Sequence, residues 1–501
     1  MTYQALEEHH RRLSRLAHLE AIAAWDEASM MPPGGGVARG AALATLRGLL
    51  HAESSTPRVG ELIATAESQL GELDAWQRAN LHESKRAYVR ATAVPTALIE
   101  AASLAESKSE QAWRRLRKDN DWRGFRPLLE EVVRIKREVA SALSGALGLS
   151  PYDALLDGYE PGAREAQIAP LFAELGAVLP DLIVRALERQ KSAAAVLPKG
   201  SFPVDAQREL AVTLMRHLGF NFEHGRLDQS HHPFCGGVPE DVRITTRYDE
   251  KDFLSALMGV LHETGHAKYE QHLPPAYLDQ PVGRARSMAM HESQSLLLEM
   301  QVCRSAEFAR FLAPLAQKAF PFAVASAPAA FGEANLASVL ARVRPGYIRV
   351  DADEVTYPCH VVLRFELETA LIAGKITVAD LPELWDASMR RLLGLSTAGN
   401  DKDGCMQDVH WAAGLFGYFP TYTLGALTAA QLFAAAQSAT PDLPEAIARG
   451  DLSGLDAWLS ENVWGRGCLL ETGDLVRQAT GAPLGTAAFE RHLRRRYLGE
   501  G

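Results

Sequence analysis

The sequence has little cysteine, 5 in 501 residues, and Cys235, Cys303, Cys359, Cys405 and Cys468 are scattered without a CxxC pair. This excludes a disulfide-stapled scaffold, a zinc ribbon and a CxxC redox site, and favours a reducing compartment. Positive charge is in the minority: 52 Lys and Arg against 62 Asp and Glu leave a formal net charge of −10. An acidic surplus repels phosphate backbones and anionic membrane surfaces, so neither nucleic acid nor membrane is expected as a partner. Near the N-terminus Glu7, Glu8, Arg11, Arg12, Arg15, Glu20, Asp26 and Glu27 leave no uncharged apolar core for a signal peptide, so a cytoplasmic location is expected. No run is expected to reach membrane-spanning length. Strand-like alternation is scarce, and long polar linkers, fixed-period repeats and low-complexity tracts are missing.

The composition, 47% hydrophobic and 23% charged, is that of an ordinary globular protein with ample chain for a large core. Apolar residues recur every three or four positions in most windows, as at Leu6, Leu13, Leu16, Leu19 and Ile22. That spacing predicts a mainly α fold. Two short segments rich in β-branched or aromatic residues, Val242 to Tyr248 and Gly346 to Val350, are the best strand candidates and are expected to pair as a small sheet. Breaks fall at Pro32 to Gly36, Leu197 to Gly200, Pro274-Pro275 and Gly399 to Gly404, and none extends into a linker. One continuous helical domain over residues 1–501 is expected. The basic run from Arg491 to Arg496 reads as a solvated last helix.

His262-Glu263-Thr264-Gly265-His266 matches HExxH, and Phe253, Leu254, Leu257, Met258 and Leu261 upstream predict an amphipathic helix running into it. Two histidines four apart share a helical face, so both imidazoles reach one divalent ion, while Glu263 leans toward a water on that ion. A chain of this composition contains HExxH by chance with a probability of roughly 0.04, so the motif alone is suggestive. Two residues compete for the third ligand. His272 occupies the last histidine position of the longer metzincin pattern, but Tyr269 stands where that pattern needs glycine. On a continuing helix His272 lies about 240° around the axis from His266 and points away from the metal. Glu292, in His291-Glu292-Ser293-Gln294 at the start of a second amphipathic helix through Leu296, Leu297, Met300 and Val302, is the better candidate. A carboxylate there completes a His2Glu set with one position open. The same triplet recurs at His82-Glu83-Ser84, so its order after HExxH is what gives it meaning.

With these motifs in view, the sequence resembles the carboxypeptidase Taq family of metallocarboxypeptidases. The likeness runs from Trp25-Asp26 and Met31-Pro32-Pro33-Gly34-Gly35 through His232-Pro233-Phe234, Asp241-Val242-Arg243-Ile244-Thr245, HExxH and His291 to Gln294. It continues through Ile348 to Asp353 and Gly404 to Trp411, spanning nearly the whole chain. The resemblance implies a helical fold around a deep central groove, metal ligands at His262, His266 and Glu292, Glu263 as catalytic carboxylate, and commonly a homodimer. Many members carry Arg and Trp soon after the HESQ segment, where this chain has Leu296 and Leu298. That departure touches local packing and a rim contact, not a ligand.

The expected reaction is hydrolysis of the C-terminal peptide bond of peptides with broad specificity, without a covalent intermediate. Glu263 serves as general base and then returns the proton to the leaving amine. Zn2+ is the expected ion, one per chain, and Co2+ suits the same donors. A donor to the oxyanion is sought among His410, Tyr418 and Tyr422, with the choice between them open. His232, in a polar loop, is expected near the site without an assigned role. A substrate carboxylate calls for a guanidinium; Arg349 is the first choice and Arg243 the reserve, against the alternative that each is held by Asp351, Asp353 or Asp241. Asp353 and Asp408 are read as acceptors that orient histidine ligands, or Asp408 as a helix cap. The rival functions are an oligoendopeptidase and a non-catalytic peptide-binding protein.

Overall fold

The computed structural model describes residues 3–192 and 195–500. Helices dominate it, with long ones at Tyr3–Ser29, Ala75–Ala93, Thr96–Leu116, Trp122–Leu147, Glu165–Gln190, Phe253–Gln271, Tyr357–Ile372 and Pro420–Ala439. Several helix starts are written in the sequence as side-chain caps. Asp74 and Gln77 form a reciprocal capping box, Ser150 accepts from the Asp153 amide, and Asp252 and Ser287 cap the two helices most relevant to function. At the N-terminus Leu6 is fully buried but Leu19 is 62% exposed, so that apolar stripe faces the core only in part.

Three strands form one small sheet in the order β1 (Gly225–Gln229), β3 (Asp241–Thr246), β2 (Phe234–Val238). β1 runs parallel to β3 and β2 antiparallel to it. The strand expected at Val242 to Tyr248 is thus present with slightly earlier ends. The one expected at Gly346 to Val350 is not a strand: it is a loop leading into a 3-10 turn at Arg349–Asp351. The reason is local. The Gln407 side chain accepts from the Arg349 amide at 2.8 Å and donates to the Tyr347 carbonyl at 2.8 Å, occupying the groups a ladder would need.

Two large apolar clusters and a smaller N-terminal one make the core. Val242, Ile244, Leu257 and Leu261 belong to the first, which joins the sheet to the helix carrying HExxH. Val361, Leu363, Trp385 and Trp411 belong to the second. The helix Pro420–Ala439 stands between them, giving Leu432 and Ala436 to one and Leu424 and Leu427 to the other. Helix Glu165–Gln190 departs from expectation, since its hydropathy of 1.5 over an 18-residue window is enough by length and composition to cross a membrane. Its Phe172, Leu175, Leu179 and Leu182 are instead buried in the second cluster, with Val362 and Phe365 of Tyr357–Ile372. A long apolar stripe is what a core helix needs too.

Candidate metal centre and active site

Three helices meet at the site, and two glycines let them meet. Phe253–Gln271 starts where the Asp252 side chain accepts from the Ser255 amide at 3.2 Å, and it presents His262 and His266 one turn apart. Met288–Leu296, capped by Ser287, carries Glu292. A Cβ on Gly265 would lie 2.5 Å from the Gln294 carbonyl oxygen, and one on Gly425 would lie 2.8 Å from Cβ and Cγ of Glu292. The Glu292 helix is therefore wedged between HExxH and Pro420–Ala439 at a separation that a side chain would prevent.

The donor atoms converge. Glu292 Oε2 stands 3.6 Å from His266 Nε2 and 3.9 Å from His262 Nε2, and one atom from each of these residues fits within 4.8 Å of the others. The opposite ring nitrogens are engaged. His262 Nδ1 meets Glu299 Oε2 at 3.0 Å, and Glu299 is held by Arg304 at 2.7 Å. His266 Nδ1 lies 2.6 Å from His291 Nδ1, whose Nε2 meets Glu270 Oε1 at 2.7 Å. One assignment of protons satisfies every contact: His262 Nδ1–H donates to Glu299, His266 Nδ1–H to His291, and His291 Nε2–H to Glu270. Both Nε2 lone pairs then face Glu292. Two imidazole lone pairs and a carboxylate on one small space, each imidazole oriented from behind, are a donor set that fits a divalent ion.

Electrostatics agree. Burial alone would depress His262, but Glu299, Glu292 and Glu263 outweigh it and raise its pKa to about 10. The surrounding carboxylates thus favour positive charge at His262, while burial and the neighbouring His291 and His262 hold His266 well below its ordinary value. Burial lifts Glu263 to about 7, against the pull of His262, and its carboxylate makes no hydrogen bond to another described residue. His272 caps the end of its helix, with Nδ1 at 2.7 Å from the Lys268 carbonyl and its ring 4.8 Å from that of Trp464, outside the donor set.

A pocket of about 320 Å³ opens on this centre, lined among others by His262, Glu292, Arg304, Arg349, Tyr357 and Tyr422. Arg349 is buried, and its Nε and Nη2 donate to Asp408 Oδ1 at 3.0 and 2.9 Å while Nη1 donates to the Tyr357 hydroxyl at 2.6 Å. The other oxygen of Asp408 takes Nε of the fully buried Arg364 at 2.7 Å. One carboxylate is therefore shared by two guanidiniums, which leaves that trio with a net positive charge beside a pocket that Glu292, Glu299 and Glu354 also line. Arg349 also keeps N–H groups on Nη1 and Nη2 beyond those used. Tyr422 lies under it, with the guanidinium carbon 5.0 Å from the ring centre. His410 Nε2 sits 3.3 Å from the Tyr422 hydroxyl.

A family model described as Carboxypeptidase Taq (M32) metallopeptidase matches residues 5–497. The chain belongs to the carboxypeptidase Taq family. It is 41% identical to Thermostable carboxypeptidase 1 of Thermus thermophilus, an alignment covering 99% of this chain and 98% of that one. Among solved structures it matches Trypanosoma cruzi metallocarboxypeptidase 1 with a TM-score of 0.96 and 44% identity over 99% of both chains. It also matches a carboxypeptidase of the same family from Deinococcus radiodurans with a TM-score of 0.94 and 35% identity, over 99% of this chain and 98% of that one. The protein is a metallocarboxypeptidase, and a divalent metal belongs to its chemistry.

Set beside this carboxypeptidase pocket, several residues singled out from sequence lie elsewhere. Arg243 is spent on Asp241, at 2.6 and 2.7 Å, and stacks 4.3 Å over Trp25; it does not line the pocket. His232 is exposed in the loop before β2, where its carbonyl accepts from Ser230 Oγ at 2.6 Å. Asp353 and Asp408 do not orient metal-site histidines. Asp353 accepts the backbone amides of Arg344, Val355 and Thr356, and Asp408 bridges two arginines. The residues behind the histidines are Glu299, His291 and Glu270, none of them identified as such from the sequence. Glu299 lies in the π-helical segment Leu297–Cys303 that follows the Glu292 helix, a departure from α geometry that residue spacing does not reveal. The His291–Glu270 contact crosses between helices and left no mark in local spacing.

Replacing Glu299 with Gln should weaken metal affinity by about 10- to 100-fold while leaving the donor set itself intact. Titration with a competing chelator measures it, and unchanged affinity would remove Glu299 from the metal site.

Proposed function

We propose that this carboxypeptidase removes single residues from the free C-terminus of peptides of broad sequence, using one Zn2+ per chain, with Co2+ able to take its place. The observation that carries the reading is one pocket lined both by the His262 and Glu292 donors and by Arg349, whose charge Asp408 only half neutralises. His262, His266 and Glu292 hold the ion. When bound, it supplies a Lewis acid for the scissile carbonyl and lowers the pKa of a water at neutral pH.

The remaining roles fall to the chain. Arg349 takes the substrate carboxylate through its spare N–H groups, and fixing that end sets which bond lies beside Glu263. Glu263, buried and without a hydrogen-bond partner among the described residues, accepts the proton of the attacking water and delivers it to the nitrogen of the departing residue. Of the three candidate oxyanion donors, Tyr422 is favoured because it lines the pocket. Burial raises its pKa, so the hydroxyl keeps its proton to donate. His410, lowered to about 4 chiefly by burial, is neutral and positions Tyr422; Tyr418 packs 5.4 Å from the same ring. Residues 1–501 act as one peptidase domain, a reading supported by the helix Pro420–Ala439 that serves both large clusters. The five free cysteines favour a cytoplasmic setting, and the family likeness favours a homodimer.

Dialysis against a chelator should abolish peptide hydrolysis, and either zinc or cobalt should restore it. Full turnover by protein whose measured metal content has fallen to zero would overturn the proposal.

A further inference from the structure

Beside the catalytic pocket lies a second and larger cavity, of about 530 Å³, that the reaction does not use. It sits where several helix ends meet, with the last turn of Glu165–Gln190, the start of Ala306–Ala319 and the C-terminal segment around its wall. We propose that this cavity binds a phosphate monoester of a small polar molecule.

The charge inventory argues for an anion. Arg304 and Arg496 line the cavity but are committed, Arg304 to Glu299 and Arg496 to Glu354. His492 also holds Glu354. Arg189 and Arg495 line it as well, and among the described residues neither guanidinium makes a hydrogen bond or an ion pair. They are far apart in the sequence, Arg189 at the end of one helix and Arg495 in the last turns of the protein, yet face one space. Two free guanidinium forks suit the two charges of a phosphate group. The first turn of Ala306–Ala319, whose Ser305, Ala306 and Glu307 also line the cavity, adds amide groups and the positive end of a helix dipole.

The ester is argued from what else is there. Glu307 brings a carboxylate with no ion-pair partner among the described residues, which disfavours a bare polyanion but accepts hydrogen bonds from hydroxyl groups. Gln437 and Ser338 add further polar groups. The volume exceeds what one inorganic anion fills and lies in the range of small-molecule sites. No metal-centre donor lines this space, although Gln301 and Arg304 face both cavities.

Titration calorimetry on the metal-loaded enzyme, with glycerol phosphate as the probe, tests the proposal. Saturable binding is expected, weakened at least ~10-fold in the double variant R189Q/R495Q, whose exposed side chains can be replaced without disturbing the core. The variant Ser338→Trp, which narrows the cavity and keeps both arginines, should weaken it too. Peptide hydrolysis without the probe should be unchanged in both. Inorganic phosphate should bind more weakly, and equal binding would overturn the ester assignment. Absence of saturable binding would overturn the site. So would binding that survives in R189Q/R495Q and competes with peptide, since that would place the anion at the catalytic metal.

Discussion

Replacing Glu263 with Gln lowers kcat/KM for peptide hydrolysis by about 10³- to 10⁴-fold, a barrier increase of roughly 4–5.5 kcal/mol, while the metal content stays the same. The substitution keeps the shape of the side chain and removes its ability to accept a proton. Metal loading should persist because the converging donors are His262, His266 and Glu292, and Glu263 is not among them. Its carboxylate is buried, raised to about 7 and free of hydrogen bonds to other described residues, and unlike Glu292 it stands outside the donor set. A group that must take a proton and then release it works best with a pKa near the operating pH. Metal analysis and initial rates on one preparation check both halves. Loss of metal together with activity would mean that Glu263 is structural at the centre, and unchanged turnover would dismiss it from the mechanism.

Arg349→Met is the second large effect. It should cost about 10²- to 10⁴-fold in kcat/KM on peptides with a free C-terminus, in line with the roughly 2–5 kcal/mol lost when one partner of a buried charge pair is truncated. The loss should sit mainly in substrates carrying the carboxylate, so that the variant no longer distinguishes free from amidated peptides. The protein itself should survive, because Asp408 retains Arg364 and is not left as an unpaired buried charge. What disappears is the surplus positive charge that two arginines and one aspartate leave at the pocket wall. Arg349→Lys should recover only part of the rate, since a point charge cannot serve Asp408, Tyr357 and a substrate carboxylate from one planar fork. Equal loss on free and amidated substrates would assign Arg349 a structural role.

The parts of this molecule that sequence could reveal are those in which the physics is local. An aspartate before an amphipathic run marks the start of the HExxH helix, and the four-residue spacing puts His262 and His266 on one face. The order of Glu292 after them follows the same logic one helix later. What escaped were arrangements made by contacts distant in sequence. The relay from His266 through His291 to Glu270 joins two helices, and the sharing of Asp408 between Arg349 and Arg364 depends on a loop returning past a buried helix. Gly346 to Val350 looked like a strand because its residues favour one, but Gln407 claimed its backbone first. Arg243 was a candidate anchor with Asp241 as the competing partner, and the geometry decides for Asp241, with the Trp25 ring beneath the guanidinium. The two glycines at 265 and 425 were visible as letters, but their purpose lies in helix separations no single segment encodes.

The claim at the centre is that one pocket joins a metal-activated hydrolytic site to a carboxylate anchor, which makes the enzyme cut from the C-terminal end. The most direct test is a mass-spectrometric time course on one peptide in two forms, free and amidated at the C-terminus, with metal-replete protein. Stepwise loss of C-terminal residues from the free form, with the amidated form left intact, is the predicted result. Internal cuts in both forms at similar rates would contradict it and make the protein an endopeptidase.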